Sequence, residues 1–391
     1  MISAISAFSA FYAFHGIAAA QSRPRARDLG IAPGVGAPGL LNAITDVAGV
    51  RVGHTTILEG DSVRTGVTAI VPHGGNVFQD KVAGSVFVGN AFGKLAGSTQ
   101  VNELGTIETP IVLTNTLSVG VAVDAVVRYT LAQSGNEQVR SVNAVVGETN
   151  DGGLNDIRGL HVKTEHVLDA IKNAAAGAVE EGAVGAGAGT ICYGWKGGIG
   201  TSSRKLDPSA GSGRTVPYTV GVLAQTNFGG NLTIAGVPIY RMLQPPRRGS
   251  GRAGPADARG PGPVDPADRS ADGSCMLVVA TDAPLDARDL HRLAARAVFG
   301  LGRTGSAYSN GSGDFAVAFS TSPEMRSRFN ETAPHARQVL PPDAMSPLFE
   351  AALEATEEAV YNSLFKATTV TSRFGTAEAI PVERVREMIK R

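Results

Sequence analysis

The chain has 391 residues, 43% of them hydrophobic and 18% charged, and its 35 basic and 35 acidic side chains cancel to a formal net charge of zero. That balance leaves no electrostatic footprint for nucleic acid or for an anionic membrane surface and points to a small neutral or zwitterionic substrate. Two cysteines, Cys192 and Cys275, are too few for a disulfide framework, and neither stands in a zinc-type Cys-x-x-Cys or Cys/His spacing, which argues against a structural metal.

Residues 1–20 form a short apolar run ending in small residues, followed by the polar, basic stretch QSRPRARD. Two readings stand: a signal peptide cut after Ala20, which makes the protein periplasmic or secreted, or a disordered or docked N-terminal tail on a cytoplasmic protein, since the run lacks Lys and Arg and contains His15. No other stretch reaches the roughly 18 apolar residues of a membrane span. From Ile44 to Val127, strand-like runs (67–72, 84–93, 109–120) alternate with Gly and Asn turns. Helical spacing follows at 120–133, with Ala122, Ala125, Val126 and Tyr129 on one face, and again at 166–182. TICYGW and YTVGVLAQTNFG read as further strands.

Residues 244–273 are dense in Gly, Pro, Arg and Asp, with almost no large apolar side chain, and are expected to form a mobile exposed loop. A strand over Met276–Thr281 comes next. It is followed by a helix begun near Asp286 with Leu290, Leu293, Ala294, Ala297 and Val298 on one face, and by the strand DFAVAFS. The run 345–367 is a helix with Ser346 as N-cap and Pro347 in its first turn. Strands and helices are mixed throughout, which predicts a layered α/β or α+β body.

Gly273 and Ser274 stand where the polar loop turns into a buried strand. Serine needs a base, but no Gly-x-Ser-x-Gly elbow and no histidine triad motif occurs. An N-terminal serine supplies its own base, because an α-amine titrates near 7.7–8.0, about the pH at which it must accept the hydroxyl proton. Cleavage after Gly273 creates that terminus if the hydroxyl attacks the Gly273 carbonyl, which no side chain obstructs. The sequence holds other Gly-Ser pairs, and on local signals alone Ser274 reads more readily as a serine opening a strand. Ser312 and Asp314, two apart in an extended segment, share a face, so that Asp314 can orient the Ser312 hydroxyl toward Ser274. They also read as a turn serine and a capping aspartate. The histidines His54, His73, His161 and His166 show no metal-binding spacing, and GWKGGIGTSS lacks the order of a phosphate loop.

Six segments in order, ITDVAGVRVGHTT, ETNDGGLNDIRG, GTICYGWKGGIGTSSR, VGVLAQTNFGG, DGSCMLVVATDAPL and SNGSGDFAVAFST, resemble the DmpA/BapA family of self-cleaving aminopeptidases and β-peptidyl aminopeptidases. The resemblance implies an αββα four-layer sandwich like that of N-terminal nucleophile hydrolases but differently connected. It implies an α chain (21–273) and a β chain (274–391) that stay associated, and a homo-oligomer, a tetramer of αβ units. Under it Ser274 is the nucleophile and new N-terminus, and Gly273 precedes the cut. Ser312 and Asp314 are then the second serine and its acidic partner, Asn227 the donor to the oxyanion, and Glu148 the carboxylate that receives the substrate's ammonium. The implied activity is hydrolysis of short peptides, amides or esters bearing a free amine, without a cofactor. A related hydrolase of amide oligomers, an acyltransferase, or an uncleaved periplasmic binding protein are the alternatives. One departure is that Asn150, Gly152 and Gly153 stand where the family places an aromatic near the Glu148 motif, and Tyr193 is not assigned that role.

Overall fold

The computed structural model describes residues 23–207, 217–246 and 273–390; the leader at 1–20 and all but the ends of the 244–273 segment lie outside them. In chain order the main strands are β1 (Arg51–Glu59), β2 (Val63–Val71), β3 (Asp80–Ala91), β4 (Leu95–Ala96), β5 (Thr106–Ile107), β6 (Ile111–Asn115), β7 (Val145–Thr149), β8 (Ile191–Cys192), β9 (Trp195–Lys196), β10 (Gly198–Leu206), β11 (Tyr218–Asn227), β12 (Ser274–Thr281), β13 (Gly313–Ser320) and β14 (Ser327–Arg328). The α-helices are α1 (Ser98–Leu104), α2 (Val119–Leu131), α3 (Thr164–Lys172), α4 (Ile239–Met242), α5 (Ala287–Thr304), α6 (Ser346–Lys366) and α7 (Val382–Ile389).

One sheet has the order β1-β2-β6-β7-β4, and the other β10-β11-β12-β13-β3-β14 with β5 paired to β3. Their inner faces meet in an apolar layer where Ile70, Leu113 and Val145 of the first oppose Leu223, Met276, Val278, Phe315 and Val317 of the second. Because side chains alternate along a strand, Val222, Ala224, Cys275, Leu277, Ala316 and Ala318 point the other way, into a core shared with α5 and α6. On the far side, Val67, Ala69, Val112 and Val146 pack against α2 and α3. Both faces of both sheets are thus covered, giving the expected αββα sandwich.

Local chemistry explains most element ends. Asp286 caps α5 by accepting from Asp289 N at 2.9 Å, and all five residues of the expected apolar face are buried. The N-cap of α6 is Met345, one residue before the expected Ser346, with Pro347 in the first turn. The helix expected over 166–182 is much shorter: Asn173 caps it, and Ala175 instead exchanges backbone hydrogen bonds with Val52 of β1 at 3.1 Å. TICYGW becomes a tight hairpin, β8–β9, whose turn residues Tyr193 and Gly194 have φ of 53° and 78°, as a type I′ turn requires.

The residues before and after position 273 are interlocked. Arg204, fully buried, pairs through Nε with Glu354 and through its terminal nitrogen with Glu358, each at 2.9 Å, and Arg27 reaches Glu358 at 2.9 Å. Both glutamates lie on α6, which is buried on nearly all sides, and such charges are tolerated there only when paired. Arg23 adds bonds to the Phe365 and Ile380 carbonyls at 2.7 Å. These links, with the β11–β12 and β3–β13 ladders, do not depend on the backbone at 273.

Candidate active site

Three adjacent strand ends build the site. Asn227 closes β11, Ser274 opens β12 and Gly313 opens β13; Asn227 and Ser274 are register partners, as are Ser274 and Gly313. Ser274 is buried at the mouth of the inter-sheet layer, and its Oγ accepts from the Gly313 N–H at 3.3 Å. Position 273 has no room for a side chain, because a methyl group there would lie 2.0 Å from the Asn227 carbonyl oxygen and 2.8 Å from Phe228 Cα.

The Asn227 amide is oriented by one bond. Its Oδ1 accepts from the Ile191 N–H at 2.9 Å, which leaves Nδ2 without a partner among the described residues. A backbone donor can bond only the oxygen, so the amide orientation is fixed. The β8–β9 hairpin that carries Ile191 is itself anchored. Tyr193 donates its backbone N–H to Phe228 O at 2.7 Å, sets its ring edge-on against Phe228, and shares a hydroxyl bond with Thr304 at 2.7 Å. Lys196, wholly buried, donates to the carbonyls of Gly187 and Gly197 at 2.8 and 2.7 Å, and burial pushes its ammonium down to about 7. The glycine run around it is therefore close packing. Asn150, where an aromatic was expected, forms a turn with Gly152 N at 2.9 Å.

Ser312 and Asp314 lie side by side at the start of β13. Asn90 Nδ2 fixes the preceding loop by donating to the carbonyls of Ser309 and Ser312, each at 2.6 Å, and Phe92 N reaches the same Ser312 oxygen at 3.1 Å. Asp314 is the register partner of Cys275 and shares the face of Ala316, toward the helices, whereas Ser274 shares the inner face of Met276. Neither Asp314 oxygen nor Ser312 Oγ has a hydrogen-bond partner of full geometry, so none links them to the Ser274 hydroxyl. Burial pushes the Asp314 carboxyl up to about 6, with the adjacent Ser312 hydroxyl opposing the shift.

Glu148 approaches from the other sheet. It sits near the end of β7, buried, with Oε1 accepting from Lys94 N at 3.0 Å and Oε2 accepting from the Thr116 hydroxyl; Lys94 Nζ stands 3.9 Å from Oε1. Gly93 lies between the two halves, since a methyl there would be 3.2 Å from Glu148 Oε1 and 3.5 Å from Gly313 Cα. A carboxylate from one sheet and the strand end that holds the Ser274 hydroxyl from the other thus flank Gly93, with Asn227 paired to Ser274 on its far side. Thr116, Lys94, Ile191 and Gly313 were not singled out from the sequence. Gly313, inside GSGDF, and Ile191, inside GTICYGWKGGIGTSSR, lie within quoted motifs, whereas Lys94 and Thr116 reach Glu148 from 54 and 32 positions away.

The histidines considered as metal ligands bond elsewhere. His54 bonds Thr68 at 2.9 Å, with burial pushing its ring down to about 4; His73 bonds the Asp80 carbonyl and His161 bonds Asp156. Cys192 and Cys275 are buried and unpaired. Among the described residues no group of three His, Cys, Asp or Glu is placed to hold a metal ion.

Comparison with known proteins places this geometry. The family model for Peptidase family S58 matches residues 42–378. The chain is 44% identical to the β-peptidyl aminopeptidase BapA of Sphingosinicella microcystinivorans over 395 aligned positions, covering 96% of this chain and 94% of the relative. Among solved structures it is similar to a Burkholderia sp. β-aminopeptidase, with a TM-score of 0.81 and 38% identity over 94% of this chain and 98% of that one. It is equally similar to the L-aminopeptidase D-Ala-esterase/amidase of Ochrobactrum anthropi, described as a prototype serine aminopeptidase with a variant of the Ntn hydrolase fold, with a TM-score of 0.82 and 36% identity over 94% and 98% of the two chains.

Proposed function

The chain belongs to peptidase family S58, and from that premise we propose how its site residues serve a self-cleaving serine aminopeptidase. Membership makes it a hydrolase of the N-terminal-nucleophile serine type and removes the reading as a binding protein without chemistry. In the uncut chain, Ser274 Oγ attacks the Gly273 carbonyl, the peptide bond becomes an ester, and the freed Ser274 nitrogen becomes an α-amine. Water hydrolyses the ester, leaving the Gly273 carboxylate and a new N-terminus. That amine then takes the Ser274 hydroxyl proton during attack on a substrate carbonyl and returns it to the leaving amine; a second water releases the acyl group. Asn227 Nδ2 donates to the oxyanion, Ser312 and Asp314 support the amine end of Ser274, and Glu148 receives the substrate's ammonium. The observation that carries this reading is the register pairing of Ser274 with Asn227, whose only described side-chain bond leaves its donor end free.

Three outcomes follow. Gly273→Ala forces a methyl into backbone atoms 2.0 Å away, so the scissile peptide shifts and self-cleavage slows at least about tenfold, read as the fraction of intact chain over time. Glu148→Gln keeps one acceptor oxygen, for Lys94 N, turns the other end into a donor to the Thr116 hydroxyl oxygen, and removes the charge. KM for peptides with a free amine is expected to rise by about 10- to 100-fold, while self-cleavage, which involves no free ammonium, continues. Unchanged KM removes Glu148 from substrate binding.

The third concerns pH. Asp314 releases its proton at about 6 in the fold against 3.8 as an ordinary aspartate, so between those values the native chain holds a proton that the unfolded chain has lost. Stability therefore falls as pH rises from about 4 to about 6 and is level above. In a Ser274→Ala background, where the chain stays whole, adding Asp314→Asn is expected to raise the unfolding temperature at pH 8 and leave it nearly unchanged at pH 4. An equal change at both pH values contradicts the assignment of a neutral-favouring site.

A further inference from the structure

The ammonium anchor and the nucleophile lie on different sheets, so the length of aminoacyl group that spans them is fixed by whatever sets the separation of the sheets at this point. One side chain of the neighbouring strand β11 links the two sheets. Gln225 stands two residues before Asn227 on β11, on the same inner face, and is wholly buried. Its Nε2 donates to Thr114 O at 3.1 Å, to Thr149 Oγ1 at 2.9 Å and to Ala186 O at 3.0 Å. Two carbonyl acceptors fix nitrogen rather than oxygen at that end, and Oε1 has no partner.

All three acceptors belong to the Glu148 side. Thr114 is the register partner of Glu148 across β6–β7, and Thr149 is its chain neighbour. Ala186 is tied to the same sheet through its own N–H to the Thr68 hydroxyl at 3.1 Å, beside Gly185 N to the Thr56 hydroxyl at 2.7 Å. A matching contact lies under the nucleophile. Met276, two residues after Ser274, fills the space over Gly147, the residue before Glu148; a methyl at Gly147 would lie 2.4 Å from Met276 Cε. Both residues beneath the reacting pair therefore press on the two neighbours of the carboxylate.

We propose that Gln225, seconded by the Met276–Gly147 contact, is a positioning residue that selects substrates by the distance between their ammonium and their scissile carbonyl. This rests on the aminopeptidase reading above. An α-aminoacyl and a β-aminoacyl group differ in that distance by one methylene, about one C–C bond of 1.5 Å. A misplacement of that order at a reacting centre changes rates by about 100-fold, so a gap held by the two N–H groups of Gln225, shared among three acceptors, suffices to discriminate between them. Self-cleavage makes no such demand, because the Gly273 carbonyl brings no ammonium.

The test measures kcat/KM for L-alanyl and β-alanyl p-nitroanilide with wild type, Gln225→Met and Thr149→Val, alongside the extent of chain cutting. Expected is a β-to-α ratio changed by about tenfold in Gln225→Met and in the same direction, by less, in Thr149→Val, with both variants cut as wild type is. A wild-type ratio in both variants, or equal losses on both substrates, overturns the inference. Should Gln225→Met fail to fold, Thr149→Val decides, since it removes one acceptor at nearly constant shape. Wild type inactive on both substrates removes the aminopeptidase reading itself, a result distinct from a preserved ratio.

Discussion

Ser274→Ala is expected to remain a single chain and to lose at least about 10⁴-fold in kcat/KM on any aminoacyl substrate. The size follows from one atom having two duties. Oγ is the group that attacks Gly273 and the group that attacks substrate, and without the first attack the second lacks its α-amine base. Ser274 is register-paired on both sides, to Asn227 and to Gly313, and replacing its hydroxyl with hydrogen leaves both ladders in place. The variant should therefore keep the fold, which near-unchanged circular dichroism and melting temperature will show. Ser274→Cys separates the duties, since a thiol also attacks a carbonyl: cutting is expected to persist while turnover is altered. If Ser274→Ala is still cut at the Gly273 bond, the nucleophile lies elsewhere.

The second large effect is at Asn227. Removing a donor to a developing oxyanion costs about 10²- to 10³-fold in kcat, near 3–4 kcal/mol, and leaves KM almost unchanged because the charge exists only in the transition state. Asn227→Ala also strips the Ile191 N–H of its acceptor, so part of its effect is local loosening of the hairpin. Asn227→Asp divides the two. It retains an oxygen for Ile191 but presents a carboxylate to the oxyanion, and is expected to be at least as slow as the alanine variant. Steady-state kinetics with soluble wild-type and variant enzyme reads this directly. If Asn227→Asp turns over near the wild-type rate, Asn227 only holds the hairpin.

The layered α/β class and most strand positions were legible because local rules and tertiary packing agree. The apolar run after Gly273 is a buried strand, and Leu290, Leu293, Ala294, Ala297 and Val298 share the inward face of α5 as their spacing requires. The sequence misled where a distant partner overrode local preference. Residues 173–182 are rich in alanine, yet Ala175 pairs with Val52 instead of extending α3. Helix α6 buries Glu354 and Glu358, which no amphipathic pattern anticipates, because Arg204 and Arg27 arrive from far along the chain to meet them. The same holds at the site. Ser274, Asn227, Ser312, Asp314 and Glu148 each sit in a quotable motif, but Thr116 reaches Glu148 from 32 positions away and Gln225 reaches Thr114 from 111. Such contacts are set by how two sheets stack, and a linear reading has no term for that.

The most direct test of the account is the intact mass of the purified protein under denaturing conditions. Two species are expected, one of them running Ser274–Arg391 with a free serine amine at its start, that co-elute as one body in native buffer because the β11–β12 ladder and the Arg204 network span the cut. A single uncut chain after prolonged incubation, in a preparation that nonetheless hydrolyses aminoacyl substrates, contradicts it: Ser274 would then have no amine, and another base would have to drive the chemistry.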